Sequence, residues 1–183
     1  MEKLNFKRQE RKENMMKKIK IIALMGEAGA GKDFILHEVI NMDKRKNPQC
    51  FHEIISCTTR PPREGEQEGV NYHFVNNEYI ESHKDDFLEL TKFRDWYYGT
   101  RYSDLDPDKI NIGVFNPEGI RNLLKSDKLN IKVFWIKAPA KERLIRQLRR
   151  EENPNIQEIF RRYEADQKDF SNINFLYETL DNS

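Results

Sequence analysis

The sequence predicts a three-layer α/β fold, a parallel sheet with helices on both faces, and three observations carry that expectation. An isoleucine-rich apolar stretch, Ile19–Met25, reads as a buried parallel strand. It passes through Gly26-Glu27-Ala28-Gly29-Ala30-Gly31-Lys32 into a segment whose Ile35, Leu36, Val39 and Ile40 share one helical stripe. Further short apolar stretches at 109–115 and 130–136 alternate with helix-forming segments, the rhythm of repeated strand–helix units.

The glycine-rich turn fits the pattern G-x-x-x-x-G-K in the setting that pattern requires, strand before and helix after. Glycines let backbone N–H groups curl inward around phosphate oxygens, the helix start adds partial positive charge, and Lys32 adds a full one. Gly26, Glu27, Ala28, Gly29, Ala30, Gly31 and Lys32 are therefore the expected phosphate cradle. The pattern asks for Ser or Thr after the lysine, and this chain has Asp33. Taken alone, a carboxylate in a first helical turn is favourable without any ligand.

Length and composition bound the rest. A chain of 183 residues fits one domain with a real core. With 32 basic and 31 acidic residues, no general polyanion affinity is expected, so phosphate recognition is local and nucleic acid is no partner. No run approaches the roughly 18 apolar residues of a membrane helix, and the first 18 residues have no apolar centre of a secretory signal. Cys50 and Cys57 form no C-x-x-C, which suits a reduced, cytoplasmic protein, and His37, His52, His73 and His83 lack metal-ligand spacing.

In chain order, residues 1–17 read as a charged extension, with the folded unit at 18–183. After the loop and its helix come a polar turn at 43–49 and a short strand at 51–56. Arg60 and Arg63 then flank a rigid Pro61-Pro62 pair, two guanidinium forks held apart as a phosphate dianion would want. Phe74, Phe87, Trp96, Tyr97 and Trp135 read as packing aromatics, and Glu89 in isolation could be a solvated carboxylate at a helix end. Asn116-Pro117 opens a helix through Leu124. From Pro139 the chain is helical on both sides of Pro154. Leu144 and Leu148 form an apolar seam, and Arg143, Arg146 and Arg150 a neighbouring basic face that, read alone, is solvated. A short strand is expected within 174–183.

Thr59-Arg60-Pro61-Pro62-Arg63-Glu64-Gly65-Glu66, followed by Gly69, Tyr72 and Phe74, resembles the GMP-binding segment of guanylate kinases. The resemblance runs from the phosphate loop through Phe87-Leu88-Glu89 and Tyr97-Tyr98-Gly99-Thr100 and fades after about Arg162. It implies a P-loop kinase fold with core segments 18–54, 104–138 and 161–183, an inserted nucleoside-monophosphate subdomain at 55–103 and a helical lid at 139–160. It also implies ATP-dependent phosphorylation of GMP or dGMP with magnesium. Ser56, Arg60, Arg63, Tyr72 and Tyr98 would surround the acceptor phosphate, and Glu89 and Thr100 would read guanine, joined by Asn116. Lys32, Arg60, Arg149 and Arg162 would be catalytic, and Arg146 and Arg150 would meet ATP from the lid.

The family carries Asp-x-Asp where this chain has Val114-Phe115-Asn116. Loss of the second guanine-reading carboxylate leaves open a kinase of some other small phosphorylated acceptor. A non-catalytic binding module of the same fold ranks last, because Lys32 is kept. The two departures together suggest an exchange, with the carboxylate serving magnesium moved from the strand end to Asp33.

Overall fold

The structure is a computed structural model that describes residues 18–63, 65–93, 95–150 and 152–183. The charged extension at 1–17 lies outside the described residues, as do Glu64 and Glu151.

Among the described residues two sheets form. The larger is parallel throughout, with β1 (Ile19–Met25) between β7 (Ile110–Val114) and β8 (Leu129–Lys137). β2 (Phe51–Glu53) extends it beside β7, and β9 (Glu178–Asp181) beside β8. The order β2-β7-β1-β8-β9 reverses direction at β1, which places the loop after β1 in the crevice where ligands of open α/β sheets sit.

Alternation along β1 divides the core between two faces. Ile21, Ala23 and Met25 pack with Ile120 and Leu123 of helix α3 (Pro117–Leu123). Leu24 faces the other way, onto Leu36 and Ile40 of helix α1 (Lys32–Asp43), with Ile35 and Val39 alongside as the helical stripe predicted. This is the three-layer arrangement expected.

The smaller sheet, β4-β3-β6-β5, is made of β3 (Cys57–Thr58), β4 (His73–Phe74), β5 (Phe87–Phe93) and β6 (Trp96–Arg101). Helix α2 (Asn77–Ser82) covers it, with Ile80 packed on Cys57 and Phe87. The strand expected over 51–56 stops at Glu53. Ile54 makes one more bond, to Ile112, and the chain then leaves the parallel sheet so that Cys57 and Thr58 can pair with β6.

Beyond β8, helix α4 (Ala140–Leu148) and helix α5 (Ile156–Asp169) lie on either side of Pro154. The expected faces of α4 are not kept. Leu144 and Leu148 are exposed, whereas Arg143 is buried. The reason is pairing: the Arg143 guanidinium lies 3.7 Å from Glu27 and over the Tyr163 ring, so its charge is met inside the fold.

Candidate active site

The turn after β1 takes its shape from glycine. Gly29 and Gly31 have φ of +80° and +91°, a region that side chains disfavour. A Cβ on Gly29 would also run into the backbone of Arg143. Lys32 bends back over this loop, its Nζ donating to the carbonyls of Gly26 at 2.7 Å and Glu27 at 3.2 Å. Burial holds the Lys32 ammonium below its ordinary range, opposed by the nearby carboxylates of Asp33, Asp166 and Glu27.

A cavity of about 520 Å³ opens on the loop. Gly26, Ala28, Gly29, Gly31, Lys32 and Asp33 form one wall, and Arg63, Tyr72, Tyr98 and Asn116 line it as well. Arg146 and Arg162 reach it from the helices beyond β8, and Arg150 from just past the end of α4. A neighbouring cavity of about 240 Å³ is lined by Ser56, Glu53 and Glu66, and it shares Asp33, Arg63, Tyr72 and Arg150 with the first. Arg63 is held below its usual range by burial and then by the charges of Arg162, Arg60 and Arg150. Cations gathered this closely repel one another and would be relieved by an anion.

Other expected site residues stand behind these walls. Arg60 is 6 % exposed, and both oxygens of Glu66 accept from its Nη2 at 2.9 Å while its guanidinium lies over the Tyr72 ring. Burial pushes the Tyr72 hydroxyl up to about 12. Glu89 sits on β5 directly across from Thr100 on β6, 6 % exposed. It is a buried strand carboxylate, not a solvated one at a helix end. The Thr100 hydroxyl donates to Glu89 Oε1 at 3.1 Å, and Ser56 Oγ is 3.2 Å from the same hydroxyl. Burial pushes the Glu89 carboxyl up to about 7 against the hydrogen bonds of Thr100. Asn116 caps α3 by accepting from the Gly119 N–H at 2.7 Å, while its Nδ2 points to Thr91 Oγ1 at 3.4 Å. Glu27 is turned away, paired with Arg143 and accepting from Trp135 Nε1 at 3.1 Å, and Ala30 is fully buried. Arg149 is exposed and lines neither cavity.

Several residues that touch the loop were not expected from the sequence. Ala28 N–H donates to Asp166 Oδ2 at 2.6 Å. Gln147 Nε2 reaches the Ala28 carbonyl, and Asn182 Nδ2 donates to the Ala30 carbonyl at 2.8 Å. Arg161 joins Arg162 in lining the large cavity, both held by Glu158. These contacts join segments more than a hundred residues apart or lie within a helix of ordinary charge pattern, so no local motif marks them.

Comparison with known proteins agrees with this geometry. The guanylate kinase family profile matches residues 18–183. A guanylate kinase of Prochlorococcus marinus (strain MIT 9312) is 35% identical over 137 residues, 71% of this chain and 71% of that protein. One of Chlamydia muridarum is 33% identical over 135 residues, 70% of this chain and 63% of that protein, so the chain spans just under two thirds of this relative's length. The crystal structure of guanylate kinase from Anaplasma phagocytophilum superposes with a TM-score of 0.64 at 17% identity, covering 91% of this chain and 78% of that one, a likeness of fold.

Proposed function

The chain belongs to the guanylate kinase family, and from that premise we propose that it transfers the terminal phosphoryl group of ATP to GMP or dGMP. The products are the nucleoside diphosphate and ADP. One observation carries the reading: a single cavity joins the lysine-bearing phosphate loop to Arg63, Tyr72 and Tyr98.

In this reading the loop amides and Lys32 hold the donor phosphates. Arg63, Tyr72, Tyr98 and Ser56 hold the acceptor phosphate, with Arg60 behind them. Glu89 accepts from guanine N1–H and the 2-amino group, a pattern adenine cannot offer. The Thr100 proton is spent on Glu89, so Thr100 orients that carboxylate. Asn116 completes the base site. An acceptor phosphate oxygen attacks the γ-phosphorus, and the bond to the β–γ bridging oxygen breaks as ADP leaves. The nucleophile is already anionic, so no general base is needed and catalysis is positional and electrostatic. Arg146, Arg149, Arg150 and Arg162 meet the transferring charge as the lid at 139–160 closes over the subdomain at 55–103 and the core segments 18–54, 104–138 and 161–183.

Magnesium fits the residues present through Asp33, a hard oxygen donor lining both cavities. Among the described residues no group of three or more His, Cys, Asp or Glu could hold a metal alone. One carboxylate plus substrate phosphates is the usual arrangement for this ion. When bound it neutralises charge on the β- and γ-phosphates. Two free thiols and nucleotide substrates suit a cytoplasmic enzyme of purine nucleotide metabolism, with no membrane or nucleic-acid partner.

Turnover with ATP and magnesium across nucleoside monophosphates and sugar phosphates tests the reading. GMP and dGMP should be preferred. Equal turnover of adenine, pyrimidine or sugar phosphates would overturn the assignment of the acceptor.

A further inference from the structure

The phosphate loop already carries an anion, and the chain itself supplies it. The Ala28 N–H, a loop amide, donates to Asp166 Oδ2 at 2.6 Å. Asp166 is half-buried, lines the large cavity, and lies within the charge fields of Lys32 and Arg143 with Glu27 nearby. A carboxylate oxygen and a phosphate oxygen ask the same of this loop, an N–H donor and an adjacent cation. They cannot share one amide, and two anions in contact repel.

Asp166 also has a telling position on α5. Arg161 and Arg162 stand about one turn earlier on the same helix and line the same cavity. A shift that carries Asp166 off the loop carries these guanidinium groups with it. The carboxylate that holds the loop and the cations that face the cavity are parts of one rigid element.

We propose that Asp166 is an internal stand-in for a donor phosphate, holding the loop until ATP displaces it, so that donor entry and movement of α5 are one event. This rests on the reading that the loop takes the donor phosphates. The carboxylate competes with ATP, and removing it tightens donor binding while leaving the acceptor site alone.

The test is calorimetric titration of ATP, with and without magnesium, into the wild type, Asp166→Asn, Asp166→Ala and Lys32→Ala. Asp166→Asn keeps the side-chain shape and an acceptor oxygen but not the charge, so it decides the matter if Asp166→Ala is poorly folded. Both Asp166 variants should bind ATP about tenfold tighter, Asp166→Ala at least as much as Asp166→Asn. In steady-state assays KM for ATP should fall with KM for GMP unchanged. Unchanged ATP affinity in both variants, while the wild type binds and Lys32→Ala does not, would overturn the proposal and leave the loop assignment standing. Weaker binding only with magnesium would also overturn it, by making Asp166 a metal ligand. No ATP binding by the wild type would instead remove the loop assignment itself.

Discussion

On the proposed acceptor side of the cleft, Arg60 is gripped by Glu66 six residues away, and Glu89 by Thr100 eleven residues away across one hairpin. On the proposed donor side the partners of the loop come from far along the chain: Arg146 to Gly29 across 117 residues, Asp166 to Ala28 across 138, Asn182 to Ala30 across 152. In the first set, Glu89 and Thr100 face each other across a strand pair whose ladder hydrogen bonds fix one side chain against the other, and Arg60 and Glu66 are near neighbours in the chain beyond β3. The second set hangs on helix ends and a terminal segment, each touching the loop through one or two polar contacts. Contacts of that kind open at low free energy without unfolding anything else. Under the proposed function, the acceptor wall is thus held by local contacts, and the donor wall is arranged to be rearranged.

The sharpest way to break this contrast is at Glu66. Glu66→Ala leaves the buried Arg60 guanidinium without its carboxylate, and also removes the acceptor for the Arg63 N–H at 2.8 Å. Breaking a buried ion pair from one side costs about 3–5 kcal/mol, readable as a lowered midpoint in denaturant. KM for GMP should rise with it, while the dissociation constant for ATP holds. A loss of ATP affinity as large as the loss for GMP would mean the two walls are not separable.

Glu89→Gln comes next in size. The amide keeps one acceptor oxygen but presents an N–H₂ where guanine also donates, so KM for GMP should rise about ten- to a hundredfold. Stability should move the other way. Folding raises this carboxyl from an ordinary 4.5 to about 7, so the fold favours the protonated acid. The wild type therefore loses stability as pH climbs from about 4.5 to about 7, roughly 3 kcal/mol at pH 8, and Glu89→Gln escapes that loss. Melting curves of both proteins should converge at low pH and separate at high pH. For binding, GMP needs the ionised form, so wild-type KM for GMP should rise as pH falls below 7 and that dependence should flatten in the variant.

These two residues also mark how far the sequence could be read. The loop Gly26–Lys32 and the helix stripe of α1 are local patterns readable from spacing, whereas the Arg60-Pro61-Pro62-Arg63 turn takes its expected role from the family resemblance. The burial of Glu89 does not: a lone glutamate looks the same on a solvated helix end and inside a hairpin until the strand opposite is known. The two faces of α4 fail for a related reason. Its periodicity marks an apolar and a basic side, but Arg143 finds Glu27 and Tyr163 in the fold, so that arginine turns inward while Leu144 and Leu148 stay exposed. Asp166 carries no pattern at all, because its significance lies wholly in an amide 138 residues away.

The smallest expected effect belongs to Asp33, and it sharpens the donor side of the contrast. Asp33 follows Lys32 in the first turn of α1 and lines both cavities, so its carboxylate stands where the two cavities meet. At the strand end, where the family's acidic pair would face the same space, this chain has Val114 and Asn116, neither able to offer charge to a cation. Asp33→Ala should then raise the magnesium needed for half-maximal rate about tenfold. ATP binding without metal should hold or tighten, since a negative charge beside the phosphates is gone. Asp33→Asn separates the two effects, because it keeps an oxygen donor and loses only the charge. Rate curves against magnesium that coincide for wild type and Asp33→Ala would place the metal's protein contact elsewhere. The donor wall would then owe its tuning to Asp166 and the arginines of α4 and α5.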